Sequence, residues 1–172
     1  MPLSLDHRRF LMVEQGLQPA LFNLVLNAGI AWLLFRGNPY LTLWDEGEVG
    51  PDLLITSLLL PILSCLIVTR LVTGQITSGR VQRLETGHAS ASAGGWHRRS
   101  VLIRAGFLGV IGLVFGAVPA ISLLTALAPE SITVGAFVTF KGLWTAALAL
   151  AMSPVIAWWA ILAASTEAPL GD

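Results

Sequence analysis

The chain has 172 residues, 55% of them hydrophobic and 12% charged, with a mean hydropathy of +0.75, whereas a soluble domain carries roughly 45–50% apolar and 25% charged residues. That balance excludes a soluble globular protein. Ten Lys and Arg offset ten Asp and Glu, so the basic excess that nucleic-acid binding relies on is missing and no nucleic-acid partner is expected. The apolar residues form four long runs set apart by the dense groups of charge, which leaves no length for a separate soluble catalytic domain. The expected fold is an all-α, polytopic four-helix membrane bundle, a single membrane domain over residues 1–172.

The first apolar run follows Arg8 and Arg9. It begins like a signal peptide, yet it is long, contains Asn23 and Asn27 and lacks a small-residue cleavage site, so it reads as a retained span over about residues 17–35. The second span covers about 51–73 and the third about 101–126, each near the roughly 20 residues a helix needs to cross ~30 Å of hydrocarbon. The fourth lies within 132–163. As one helix that stretch is roughly 45 Å long and overshoots a bilayer, so it must tilt, protrude or start late.

Charge divides the connections sharply. Residues 74–100 carry Arg80, Arg83, Arg98 and Arg99, flanked by Arg70 and Arg104, while 37–50 carries Asp45, Glu46 and Glu48. Cytoplasmic loops are enriched in Lys and Arg, which puts the basic loop and both termini in the cytoplasm and the acidic loop and the Pro129-Glu130 turn outside. Trp32 and Trp44 then fall at the outer interface and Trp158 and Trp159 at the inner one, where such rings prefer to lie. The tract from Ala89 to Gly95 is built from small residues that bury too little surface to offset their ordering entropy, so the loop over 74–100 is expected to be flexible.

Small residues mark the packing faces. Ala105, Gly109, Gly112, Gly116 and Ala120 share one face of span three, and Gly142, Ala146, Ala149, Ser153, Ala157 and Ala160 one face of span four. Lipid tails supply no hydrophobic drive between helices, so smooth faces associate through close van der Waals contact, and spans three and four are expected to pair. The rival reading makes Gly112-x-x-x-Gly116 an oligomer interface. In span one Asn23 and Asn27 share a face, and in span two Ser57 and Ser64 do, with Pro61 between them freeing a backbone carbonyl. These polar faces either hold helices together or line a substrate path. Pro61, Pro119 and Pro154 each interrupt a span and favour bends.

Ionisable residues within spans are functional candidates by default. Asp52 opens span two on the outer side, and Lys141 lies roughly 13 Å below that surface if span four starts at Ile132, where an ion pair with Asp52 is sterically open to it; the length overshoot of span four favours instead a later start and a Lys141 that snorkels to the surface. Glu14, just before span one, and Arg104, one turn into span three, offer a second pair at the inner side. No carboxylate falls near mid-bilayer, which argues against ion-coupled transport. His7, His88 and His97 lie outside the spans, Cys65 is the single cysteine, and no zinc, C-x-x-C or phosphate-loop motif occurs. No catalytic residue, metal or cofactor is assigned, and the chain is not read as an enzyme.

The stretch Phe22-Asn23-Leu24-Val25-Leu26-Asn27-Ala28-Gly29-Ile30-Ala31-Trp32, followed by Asp52-Leu53-Leu54-Ile55-Thr56-Ser57 and the Phe140-Lys141 segment, resembles uncharacterised bacterial four-span inner-membrane proteins, sometimes labelled permease-like. The resemblance implies a multi-pass bacterial inner-membrane location and no established activity. The expected function is that of a permease-like or channel-like homo-oligomer in the lipid bilayer, moving a small solute along a path lined by Asn23, Asn27, Ser57 and Ser64; the alternative is an accessory or scaffold subunit bound to other membrane subunits.

Overall fold

The structure, a computed structural model, describes residues 9–45, 49–82, 93–128 and 130–166. Arg8, Glu46, Glu48, Arg83, Pro129, His7, His88 and the 89–92 part of the small-residue tract lie outside those residues. The chain is mostly helical, with four helices long and apolar enough to cross a membrane. They are α1 (Phe10–Phe35), α2 (Val49–Thr77), α3 (Val101–Leu127) and α4 (Val134–Thr166). Two short strands, β1 (Tyr40–Leu41) and β2 (Ile132–Thr133), pair antiparallel and join the α1–α2 and α3–α4 connections at one end of the bundle. This strand end lies opposite the terminus end, where α1 begins and α4 finishes.

Several boundaries differ from the sequence reading. Helix α1 starts seven residues before the expected span, so Glu14 lies inside it rather than ahead of it. Its first two turns, Phe10–Leu17, are π-helical, closed by Gln18 N–H donating to the Val13 carbonyl. A second π segment, Gly112–Ala117, interrupts α3. Each ends two residues before a proline, Pro19 or Pro119. A proline ring crowds the carbonyl four residues back, and the wider i→i+5 turn gives it room. Helix α4 is continuous over 33 residues, about 50 Å. It does not start late: the Thr133 hydroxyl accepts from the Ala136 N–H at 3.3 Å, an N-cap that fixes its first turn. Ser100 caps α3 in the same way through the Ile103 N–H. Within the 74–100 connection, α2 continues to Thr77 and Ala93–Arg98 forms a 3-10 turn.

The expected pairing of spans three and four is overturned. Helix α4 packs along α1 and also on α2, while α3 packs chiefly on α2 and meets α4 at points such as Gly116 against Leu148. The α1–α4 seam is antiparallel: Gly16 lies against Leu150 and Pro154, Gly142 against Leu24 and Ala28, and Phe35 meets Phe137 edge-on at 5.4 Å. The glycine face of α3 turns to α2, where Gly109 abuts Leu58 and Ile62, and Gly112 abuts the Ser57 carbonyl and Pro61. The reason lies in Pro61. Without an N–H it cannot bond the carbonyl four residues earlier, which is that of Ser57, and a glycine Cα approaches this freed oxygen more closely than any other residue can. Ala149, Ser153, Ala157 and Ala160 of α4 are buried, and Ala146 is half-buried.

At the terminus end α2 closes with Gly79 at φ 75°. Gly79 N–H donates to the Ile76 carbonyl and Arg80 N–H to the Gln75 carbonyl, the paired bonds of a Schellman turn. No atom crowds a Cβ at this position, so Gly79→Ala tests backbone conformation alone. It is expected to cost about 1–2 kcal/mol, measured by thermal unfolding in detergent, whereas Gly74→Ala, also unobstructed but within the helix, should not lower stability.

Candidate functional site

Two apolar clusters fill the interior. The larger, towards the terminus end, includes Phe10, Leu60, Val72, Leu108 and Ile161; the smaller, at the strand end, includes Leu41, Val49, Leu53, Leu124 and Phe137. Polar side chains from three helices meet beside the smaller cluster. Lys141 is about 11 Å along α4 from Val134, so its ammonium lies below the helix end. It is 1% exposed, and its Nζ donates to Asp52 Oδ1 at 2.6 Å. Lys141 therefore does not snorkel: the early start of α4 puts it too deep, and Asp52 receives it instead.

Asp52 is well placed as the anion. It stands in the first turn of α2, where the positive end of the helix dipole favours a carboxylate. Its side chain is 15% exposed, and Oδ2 is buried with no hydrogen-bond partner among the described residues. Among those residues this is the one ion pair.

One turn after Lys141, the Thr145 hydroxyl approaches the carbonyls of Lys141 at 2.9 Å, Gly142 at 3.1 Å and, across the seam, Asn23 of α1 at 3.2 Å. Asn27 Nδ2 donates to the same Asn23 carbonyl at 3.1 Å, and Asn23 Nδ2 donates to the Pro19 carbonyl at 2.9 Å. The asparagine amides thus bond within α1 and are not donors to span two. Sequence reasoning passed over Thr145, although its place four residues after Lys141 sets it on the same face.

The four residues expected to line a path are not brought together. Asn23 and Asn27 lie in the α1–α4 seam, while Ser57, fully buried, lies in the α2–α3 seam against Gly112 and Gly116. Helices α1 and α2 scarcely touch. Ser64 is half-buried on α2. Glu14 and Arg104 do not pair either, because α1 and α3 lie on opposite sides of the bundle. Arg104 is 3% exposed, with Nε unbonded among the described residues, and Glu14 lines a cavity at the terminus end. Trp96 stacks on Phe107 of α3 at 4.3 Å and on Trp159 of α4 at 6.2 Å, linking the two helices at this end.

Among the described residues no three of His, Cys, Asp and Glu lie close enough together to hold a metal ion. What the arrangement offers chemically is a buried charge pair with one carboxylate oxygen unbonded among the described residues, one turn away from the Thr145 hydroxyl that reaches the backbone of α1. No protein-family model matches the chain, and neither does any curated protein or solved structure.

Proposed function

We propose that the chain is a four-span protein of the bacterial inner membrane, with both termini cytoplasmic, that serves as an accessory or scaffold subunit of a larger membrane complex. Large apolar side chains on the outside of the bundle support insertion: Val25, Leu33, Ile67, Leu102, Val114 and Phe115 are all exposed, and lipid is the surrounding that this surface suits. Arg9, Arg80, Arg98 and Arg99 belong to the terminus end and Asp45 and Glu130 to the strand end, the distribution that orients the terminus end inwards.

The observation that carries the scaffold reading is how the polar residues of the spans are used. Lys141 and Asp52 fasten α4 to α2, Thr145 fastens α4 to the Asn23 carbonyl of α1, and the freed Ser57 carbonyl seats Gly112 of α3. These groups build a fixed shape rather than a passage. Native mass spectrometry of the protein extracted gently from its own membrane tests this. The expected result is a stoichiometric foreign subunit whose assembly fails when this chain is deleted. A homo-oligomer free of other proteins overturns it.

One observation favours a permease-like homo-oligomer as the second reading: Asp52 keeps an unbonded carboxylate oxygen beside a buried cation. In that case Asp52→Asn abolishes solute flux in reconstituted vesicles while the oligomer persists.

A further inference from the structure

At the terminus end, α1 and the turn after α2 enclose an open cavity of about 490 Å³, within the roughly 300–1,000 Å³ of small-molecule sites. Among the described residues, buried Phe10 and Val81 give it apolar wall, and Arg9, Glu14 and Arg80 bring formal charges to it. Two local structures put those charges there. The π turns at the start of α1 set Arg9 and Glu14, five residues apart, on a common side. The left-handed Gly79 turns the chain so that Arg80 faces them.

Glu14 is within ion-pair distance of neither guanidinium. Among the described residues, two cations and an anion thus line one cavity without pairing with one another. A purely anionic ligand matches the arginines but is repelled by Glu14, and a purely cationic one has the reverse difficulty. Both signs are met by a ligand with a phosphate at one end and a primary ammonium at the other, since guanidinium bonds phosphate oxygens strongly and carboxylate accepts from ammonium. Orientation in the membrane accounts for Arg9 and Arg80 alone; it accounts for neither Glu14 nor the cavity.

We propose that the cavity lined by Arg9, Glu14 and Arg80 binds a phosphoethanolamine group, with the arginines on its phosphate and Glu14 on its ammonium. The group has two sources, a phosphatidylethanolamine headgroup and free phosphoethanolamine. The lipid source rests on the membrane reading above, which retention of the protein in carbonate-washed membranes tests separately.

Native mass spectrometry of the full chain in mild detergent, with phosphatidylethanolamine and phosphatidylglycerol added in equal amounts, tests the site. The expected result is one bound phosphatidylethanolamine per chain, preferred by about tenfold. Glu14→Gln should remove that preference while keeping lipid bound, and Arg9→Gln with Arg80→Gln should lose both lipids. Soluble phosphoethanolamine that displaces the lipid at equal concentration makes the free compound the ligand of the same site. Equal binding of both lipids by the wild type overturns the proposal, as does an unchanged preference in Glu14→Gln. All variants should keep the wild-type circular dichroism and melting temperature, because none of these three side chains belongs to the buried clusters.

Discussion

Lys141→Met is expected to destabilise the bundle by about 3–5 kcal/mol, the cost of removing one partner from a buried ion pair. The size follows from what is left behind. Asp52 Oδ2 already has no hydrogen-bond partner among the described residues, so losing Lys141 leaves both carboxylate oxygens unpaired beside Leu53 and Val49. The double variant Asp52→Leu with Lys141→Met should recover to within about 1 kcal/mol of wild type or exceed it, since an apolar replacement of the whole pair removes the desolvation penalty along with the attraction. Exchanging the two charges should recover only part. Lysine in the first turn of α2 then faces the positive end of that helix, which favoured aspartate. Reversible unfolding in mixed micelles, followed by circular dichroism, measures all three. If the single and double variants lose stability equally, the pair is not formed; a loss under about 1 kcal/mol for Lys141→Met is what an exposed, snorkelling lysine gives.

That pair was half legible in the sequence. Opposite charges towards the same end of two spans are visible without coordinates. Depth was not, because it depends on where α4 begins, and hydropathy blurs that boundary across residues 132–141. The deciding signal was local: Thr133 three residues ahead of Ala136 is an N-cap spacing, and it places Lys141 two turns inside the helix. Four apolar helices, the α3 start at Val101 and the small-residue faces were all readable from periodicity and caps. Neighbour relations were not, because a smooth face says that something packs closely and does not say what. Span three had two candidate partners, and the choice was made by a backbone atom on α2, the Ser57 carbonyl released by Pro61. The cavity around Arg9, Glu14 and Arg80 escaped for a related reason. It depends on a π turn and a left-handed glycine, which shift side-chain directions away from the α-helical repeat.

Gly112→Ala is the sharpest test of this packing order, and a glycine series along α3 gives it an internal scale. At Gly112 an added Cβ falls on the Ser57 carbonyl oxygen and 2.6 Å from Pro61 Cγ. Neither is the end of a flexible chain, so α2 and α3 must separate. Overpacking of this kind costs about 1–3 kcal/mol and at times more. At Gly109 the Cβ meets the Ile62 side chain at 2.7 Å and 2.8 Å, which a rotamer change relieves in part. At Gly116 the nearest atoms are Leu148 and Ser57 carbons at 3.3–3.4 Å, so the loss should be slight. Gly106 faces open space, and alanine there should gain about 0.5–1 kcal/mol from helix propensity. The expected order of melting temperatures is Gly106→Ala highest, then Gly116→Ala, Gly109→Ala and Gly112→Ala. Because every atom that crowds Gly112 belongs to the same chain, the loss should not depend on protein concentration. A loss that appears only where the protein self-associates assigns this face to a contact between copies and removes α3 from its place on α2.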